Sequence, residues 1–245
     1  MEELMTKSLA QIVNTNHRAA NVFEKYHLDF CCKGKRTLQQ ACTESELKIE
    51  EVLFELEKTI SATSSQLTID YNKMSLEQLA HYIVTTHHSY VKKEMPAILG
   101  YLQKVAAKHG SHHPEMIKVL EIFTAVKEEM EQHMQKEELI LFPGIKEAER
   151  QLAEGTEIII NNTSLLAPIS VMEQEHDHAG SAMAEIRQLT NNYNLPDDSC
   201  TTYKLSFAAL NAFELDLHQH VHLENNILFP KALKLVGEPT QCSLN

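Results

Sequence analysis

His133-x3-Glu137-x4-Phe142-Pro143 and His220-x3-Glu224-x4-Phe229-Pro230 are two copies of one pattern, 87 positions apart throughout. A His and a Glu four residues apart lie on one face of a helix, where imidazole and carboxylate can be aimed at one cation. Each copy has an upstream partner: His88 stands 45 residues before His133, and His176 stands 44 before His220. The duplicated set, His88, His133, Glu137, His176, His220 and Glu224, offers four imidazoles and two carboxylates, which suits two metal ions. One His-x3-Glu pair among 14 histidines would read as a surface hydrogen bond. Repetition, the shared Phe-Pro and the upstream partners reverse that reading.

Such side chains need long helices to hold them. Only seven Gly and seven Pro occur in 245 residues, and apolar residues recur at spacings of three and four, so an all-α chain is expected. Breaks at Gly110-Ser111-His112-His113-Pro114 and Pro196-Asp197-Asp198-Ser199 separate helices at roughly 75–109, 114–149, 168–193 and 199–236. In an antiparallel hairpin, residues equidistant from the turn sit at one height, because both helices rise about 1.5 Å per residue. The midpoint of His88 and His133 is the 110–111 peptide, and that of His176 and His220 is residue 198, both within the predicted turns. The expected architecture is therefore an up-down four-helix bundle of two similar hairpins, joined by a long connection from about Arg150 to Ala167. Pro143 and Pro230, six residues beyond each Glu, should kink or loosen the preceding turn.

Residues 1–62 read as a small helical module. One short helix carries Leu9, Ile12, Val13, Ala19, Ala20 and Phe23; a capping box at Thr43-x-x-Glu46 opens another with Val52, Leu53 and Leu56. The polar stretch 63–73 reads as a linker, and Ser75-x-x-Gln78 caps the first helix of a domain spanning 74–245.

With 22 Lys and Arg against 34 Asp and Glu, the net charge of -12 speaks against nucleic acid and anionic membrane as partners. No apolar run reaches membrane-spanning length, and Met1-Glu2-Glu3 is not the basic start of a secretory signal, so a cytoplasmic protein is expected. Five irregularly spaced cysteines fit reduced thiols. Cys42, Cys200 and Cys242 read as structural. The adjacent Cys31 and Cys32 are either a buried core pair or thiols open to redox or metal chemistry, and an exposed Lys33 beside them would favour thiolate.

Four segments together resemble one family across almost the whole chain. They are Tyr26-His27-Leu28-Asp29-Phe30-Cys31-Cys32, His133-Met134-Gln135-Lys136-Glu137 with Leu141-Phe142-Pro143, Ser170-Val171-Met172-Glu173-Gln174-Glu175-His176-Asp177, and His220-Val221-His222-Leu223-Glu224-Asn225-Asn226 with Leu228-Phe229-Pro230. The sequence is similar to the repair of iron centres family, di-iron proteins with a hemerythrin-like bundle. The resemblance implies a non-haem di-iron centre of four His and two bridging Glu, with an oxo or hydroxo bridge besides. It implies a stress protein that restores iron-sulfur clusters damaged by nitric oxide or peroxide. Its partners would then be damaged iron-sulfur proteins and the diatomic ligands nitric oxide and oxygen, with a homodimer admitted. A repair or iron-donor role is implied rather than an enzyme, nitric oxide reduction at the centre being the enzymatic option.

The family places its ligand His eight residues before a Pro, so Pro96 selects His88 over the adjacent His87. The resemblance also raises Cys31 and Cys32 to candidate redox or transfer thiols, although the family follows that pair with Gly-Gly and this chain with Lys33-Gly34. Other classes fit less well. A hemerythrin-type oxygen or nitric oxide carrier resembles this bundle but uses an additional His and needs no Cys-Cys module. Ferritin-like di-iron enzymes use Glu-x-x-His. A zinc hydrolase would show His-Glu-x-x-His and fewer ligands. His218 and His222 form a further i, i+4 pair, rotated about 200° from His220, and are expected on the flank or surface. Glu175 and Asp177, beside His176, are expected to hydrogen-bond a ligand imidazole rather than to bind metal.

Overall fold

The computed structural model describes residues 2–61, 69–155 and 162–237. Linker residues 63–68, the middle of the connection between hairpins, and the tail with Cys242 lie outside the described residues. The described residues form helices and no strand; Ser8 and Thr37 make an isolated antiparallel bridge. Packing divides the chain into two compact units, Met1–Ser75 with His218–Lys231, and Leu76–Leu217 with Ala232–Asn245.

The first unit holds α1 (Glu2–Thr6), α2 (Leu9–Thr15), α3 (Ala19–Lys25), α4 (Leu38–Glu44) and α5 (Ile49–Ser61). Capping boxes open α2 and α4: Ser8 and Thr37 accept from the backbones of Gln11 and Gln40, whose side chains return the bond. The single helix expected over Leu9–Phe23 is two helices. Asn16 takes an extended backbone at φ -150°, and its Oδ1 accepts from Arg18 N at 3.1 Å, so the chain stops and restarts there. The capping box expected at Thr43 does not start a helix either. Thr43 lies in the last turn of α4 with its hydroxyl on Gln39 O, and Glu46 adopts φ 55° where the chain reverses. Leu9, Ile12, Phe23, Leu28, Phe30, Leu38, Val52 and Leu56 interlock as the core, each contributing about 1.5–3 kcal/mol by burial.

In the second unit, α6 (Leu76–Ile83), a π-helical turn (Val84–His88) and α7 (Ser89–His109) follow one another without a break. So do α8 (Glu115–Lys136), a π turn (Glu137–Leu141) and α9 (Phe142–Ala153). Next come α10 (Asn162–Leu189) and α11 (Thr201–Leu223), whose residues from His218 on belong, with the following π turn (Glu224–Leu228) and the start of α12 (Phe229–Gly237), to the first unit. Helix α8 packs on α7 and α10, and α6 on α9. Phe213 of α11 meets Phe123 of α8 edge to face at 5.4 Å, and Tyr203 of α11 meets His109 of α7 at 5.4 Å. This is the expected up-down four-helix bundle. The backbone N–H groups of Leu76 and Glu77 donate to the Glu149 carboxylate at 2.8 and 2.9 Å, which caps the start of α6. After α10, Asn191, Asn192 and Tyr193 take consecutive left-handed φ of 49°, 57° and 58°, a turn tied by Tyr193 OH on Glu214.

The loosening expected before Pro143 and Pro230 takes a definite form. Phe142 N bonds Glu137 O and Phe229 N bonds Glu224 O, each five residues back, so the helix widens by one residue before the proline ring. Ser89 N reaches Val84 O in the same way. These three turns carry candidate ligands: His88 closes one, and Glu137 and Glu224 each open another.

Candidate metal centre

In the bundle unit, His88, His133, Glu137 and His176 come together with no appreciable exposure. His88 Nε2 and His133 Nε2 each lie 3.3 Å from Glu137 Oε2. His176 Nε2 lies 3.0 Å from His133 Nε2. Phe142, of the Phe-Pro pair, stacks on the His88 ring at 5.8 Å.

The outer nitrogens decide the chemistry of the inner ones. His88 Nδ1 sits 2.7 Å from Glu138 Oε1, and Glu138 also accepts from Lys92 Nζ at 2.7 and 2.9 Å. His133 Nδ1 sits 2.9 Å from Glu175 Oε2, and Glu175 is paired with Lys136. Burial pushes both carboxyls up, but the bonds from lysine and histidine outweigh it and hold Glu138 and Glu175 below the usual carboxylate range. An ionised carboxylate only accepts, so Nδ1 must carry the proton of each neutral ring, and each Nε2 turns its lone pair inward. Two lone pairs then face one carboxylate oxygen, and the His133 pair also faces His176. Such a concentration of buried electron density calls for a cation. Nitrogen and carboxylate donors of this kind suit iron. The residues therefore fit the metal that the sequence suggested.

In the other unit, His220 and Glu224 are fully buried, with Nε2 3.0 Å from Oε1. The second His-x3-Glu pair thus repeats the geometry of the first. The neighbouring histidines are fixed by other groups. His218 Nδ1 lies 2.8 Å from Glu24 Oε1. His222, expected on the flank or surface, is buried: its Nε2 is 3.0 Å from Asn14 Oδ1, its ring edge meets Phe30, and burial pushes its pKa down to about 4. His87 is buried as well, with Nδ1 2.9 Å from Asp216 Oδ1 of α11. Glu175 does bond an imidazole, but that of His133 across the bundle rather than its neighbour His176, and Asp177 is exposed. Sequence reasoning missed Glu138, Lys92 and Lys136.

The thiol loop belongs to the same unit as His220. Asp29 Oδ1 accepts from the N–H groups of Cys31, Cys32 and Lys33 at 3.1, 2.9 and 3.2 Å, and from Cys31 Sγ at 3.2 Å. The two sulfurs are 3.9 Å apart, Cys31 buried and Cys32 half-buried. The hydrogen bond with Cys32, burial and the Asp29 charge push the Cys31 thiol well up. The thiolate that Lys33 would favour beside an exposed thiol is therefore not favoured at Cys31, which is buried and hydrogen-bonded to Cys32. Asn226, two residues past Glu224, donates to Cys31 O at 2.9 Å. Gly34 is required, since a Cβ there would stand 2.2 Å from Phe30 O. Cys42 is buried, and Cys200 lies 3.3 Å from His109 Nε2.

Known proteins match this chain over most of its length. The Hemerythrin HHE cation binding domain matches residues 79–232, and the Domain of Unknown function (DUF542) matches residues 5–60. The iron-sulfur cluster repair protein YtfE of Dickeya chrysanthemi (strain Ech1591) is 36% identical, over 93% of this chain and 97% of its own. Its namesake in Pectobacterium atrosepticum is 34% identical over 93% and 97%. That of Escherichia coli O17:K52:H18 is 34% identical over 92% and 96%.

Proposed function

The chain belongs to the iron-sulfur cluster repair proteins built on a hemerythrin HHE cation binding domain, and from that premise we propose how it works. It repairs iron-sulfur clusters damaged by nitrosative or oxidative stress, by means of two non-haem irons. The two ions would be held by His88, His133 and His176, with Glu137, and by His220 with Glu224, the ligand set that the duplicated His-x3-Glu pattern supplies. The observation that carries this reading is the shared approach of His88 and His133 to one buried oxygen of Glu137.

When bound, the iron pair supplies electrons and open positions for nitric oxide or oxygen, since six residues fill only about eight of roughly twelve coordination positions. The protein's own groups set how firmly the ions are kept. Glu138 and Glu175 hold the Nδ1 protons and fix two imidazoles with their lone pairs inward. Lys92 and Lys136 keep those carboxylates ionised. The apolar bundle around them, with Phe142 against His88, keeps bulk water from the donor atoms. Fewer nitrogen ligands than an oxygen carrier uses leave the ions more easily released, as a donor to damaged clients requires.

The division of labour follows the sequence: a thiol module in 1–62, a linker in 63–73 and the iron-holding bundle in 74–245. Among the described residues no helix is long and apolar enough to cross a membrane. Work in the cytoplasm on iron-sulfur protein clients fits this reading.

Protein purified without air from iron-replete cells should hold about two irons per chain. Glu137→Ala and Glu224→Ala should lose most of that iron and fail to restore a nitric-oxide-damaged iron-sulfur enzyme, whereas His218→Ala should keep both properties. Stoichiometric zinc without iron, or full repair by an iron-free variant, would overturn the proposal.

A further inference from the structure

Asp29, Cys31 and Cys32 bring a carboxylate oxygen and two sulfurs within 4.8 Å of one another. Their spacing is that of ligands. With a metal–sulfur bond of about 2.3 Å and a tetrahedral angle, two thiolates on one ion stand about 3.8 Å apart. The observed separation is 3.9 Å. A disulfide would need about 2.05 Å, so the resting pair sits at the span of a metal bite. The sulfur–oxygen edge of the same tetrahedron is about 3.6 Å. Asp29 Oδ1 and Cys31 Sγ, at 3.2 Å, need only part by a few tenths of an ångström.

The arrangement is also held in advance. Three consecutive backbone N–H groups converge on Asp29 Oδ1, which folds the loop so that both sulfurs and the carboxylate share one side. Gly34 lets the following chain pass against Phe30 O. Asn226 fastens Cys31 O to the π turn that begins at Glu224. Cys31 is buried while Cys32 is half-buried, so an ion can arrive by way of Cys32 and be drawn to a sheltered ligand. Two sulfurs and one oxygen leave a tetrahedral position open, the mark of a site that exchanges its ion.

We propose that Asp29, Cys31 and Cys32 form a second, mononuclear metal site that takes a thiophilic divalent cation, ferrous iron on its way to or from the dinuclear centre. The cargo assignment rests on the repair reading above; the site itself does not. Binding breaks two S–H bonds and forms two metal–sulfur bonds, both protons pass to solvent, and no electron moves.

Cobalt(II) is the probe, titrated without air into the full metal-free chain. The expected result is a sulfur-to-cobalt charge-transfer absorption that saturates at about one ion per chain. It should be absent from Cys31→Ser and Cys32→Ser. Asp29→Asn, whose amide oxygen still accepts the three N–H bonds, should keep the fold and weaken the site by about tenfold or more. Glu137→Ala should lose the dinuclear ions yet keep the sulfur band, so failure of one reading is visible apart from failure of the other. A wild-type chain that binds cobalt without the band, or a Cys31→Ser, Cys32→Ser double variant that retains it, overturns the site. Transfer of iron to an external chelator at equal rates from wild type and double variant overturns the transit role.

Discussion

Two consecutive glutamates bracket one imidazole: Glu137 lies at the Nε2 of His88 and Glu138 at its Nδ1. Glu175 does for His133 what Glu138 does for His88, from another helix. Glu138→Gln and Glu175→Gln should each weaken iron binding by about 10- to 100-fold while leaving the helices intact, as measured by anaerobic competition with a chelator. Unchanged affinity would mean that packing alone orients the rings. The His-x3-Glu pairs were legible in the sequence because both members ride one helix. His88 was chosen over His87 by the Pro eight residues on, with symmetry about a turn in support. Glu138 and the crossing of Glu175 to His133 were not legible, because each depends on how neighbouring helices are rotated, which no spacing within one helix fixes. His222 was misjudged for a related reason: three residues from α2 and the thiol loop, Asn14, Phe30 and Cys31, surround its helical turn.

At the level of elements, the breaks were easier to read than the starts. Gly, Pro and Asp clusters marked the hairpin turns, whereas polar residues suited to capping also occur inside helices, as Thr43 does. The hairpin ends are tied to each other as well. His113, before α8, has Nδ1 3.0 Å from Glu115 and Nε2 2.9 Å from Asp198, and the bond to Asp198, with Glu115, raises its pKa above 6.5. A raised folded pKa stabilises below the unfolded value and the gain is lost as pH rises through the folded one. His113→Ala should therefore cost stability at about pH 6, by up to about 1 kcal/mol for so accessible a pair, and almost none at about pH 9. Thermal unfolding across that range is the check; a difference that grows with pH would refute the sign.

For the molecule as a whole, carboxylates and imidazoles buried together would make a bound iron part of the fold. Any ligand that binds only the folded chain stabilises it by about 4 kcal/mol at a thousandfold excess over its Kd. Chelation should therefore lower the calorimetric midpoint by about 10 °C, and ferrous iron should restore it. A midpoint indifferent to iron would place the metal outside the core. The three π turns bear on how such a chain can change. Each holds one residue more than a regular helix would, and a residue advances a helix by about 100°. Deleting any one residue within Glu224–Leu228 would restore regular winding and swing Phe229 and all beyond it a quarter-turn or more relative to His220. Point changes can be absorbed piecemeal here; a single in-frame codon lost from any of these turns cannot, so their lengths should be the least negotiable numbers in the gene.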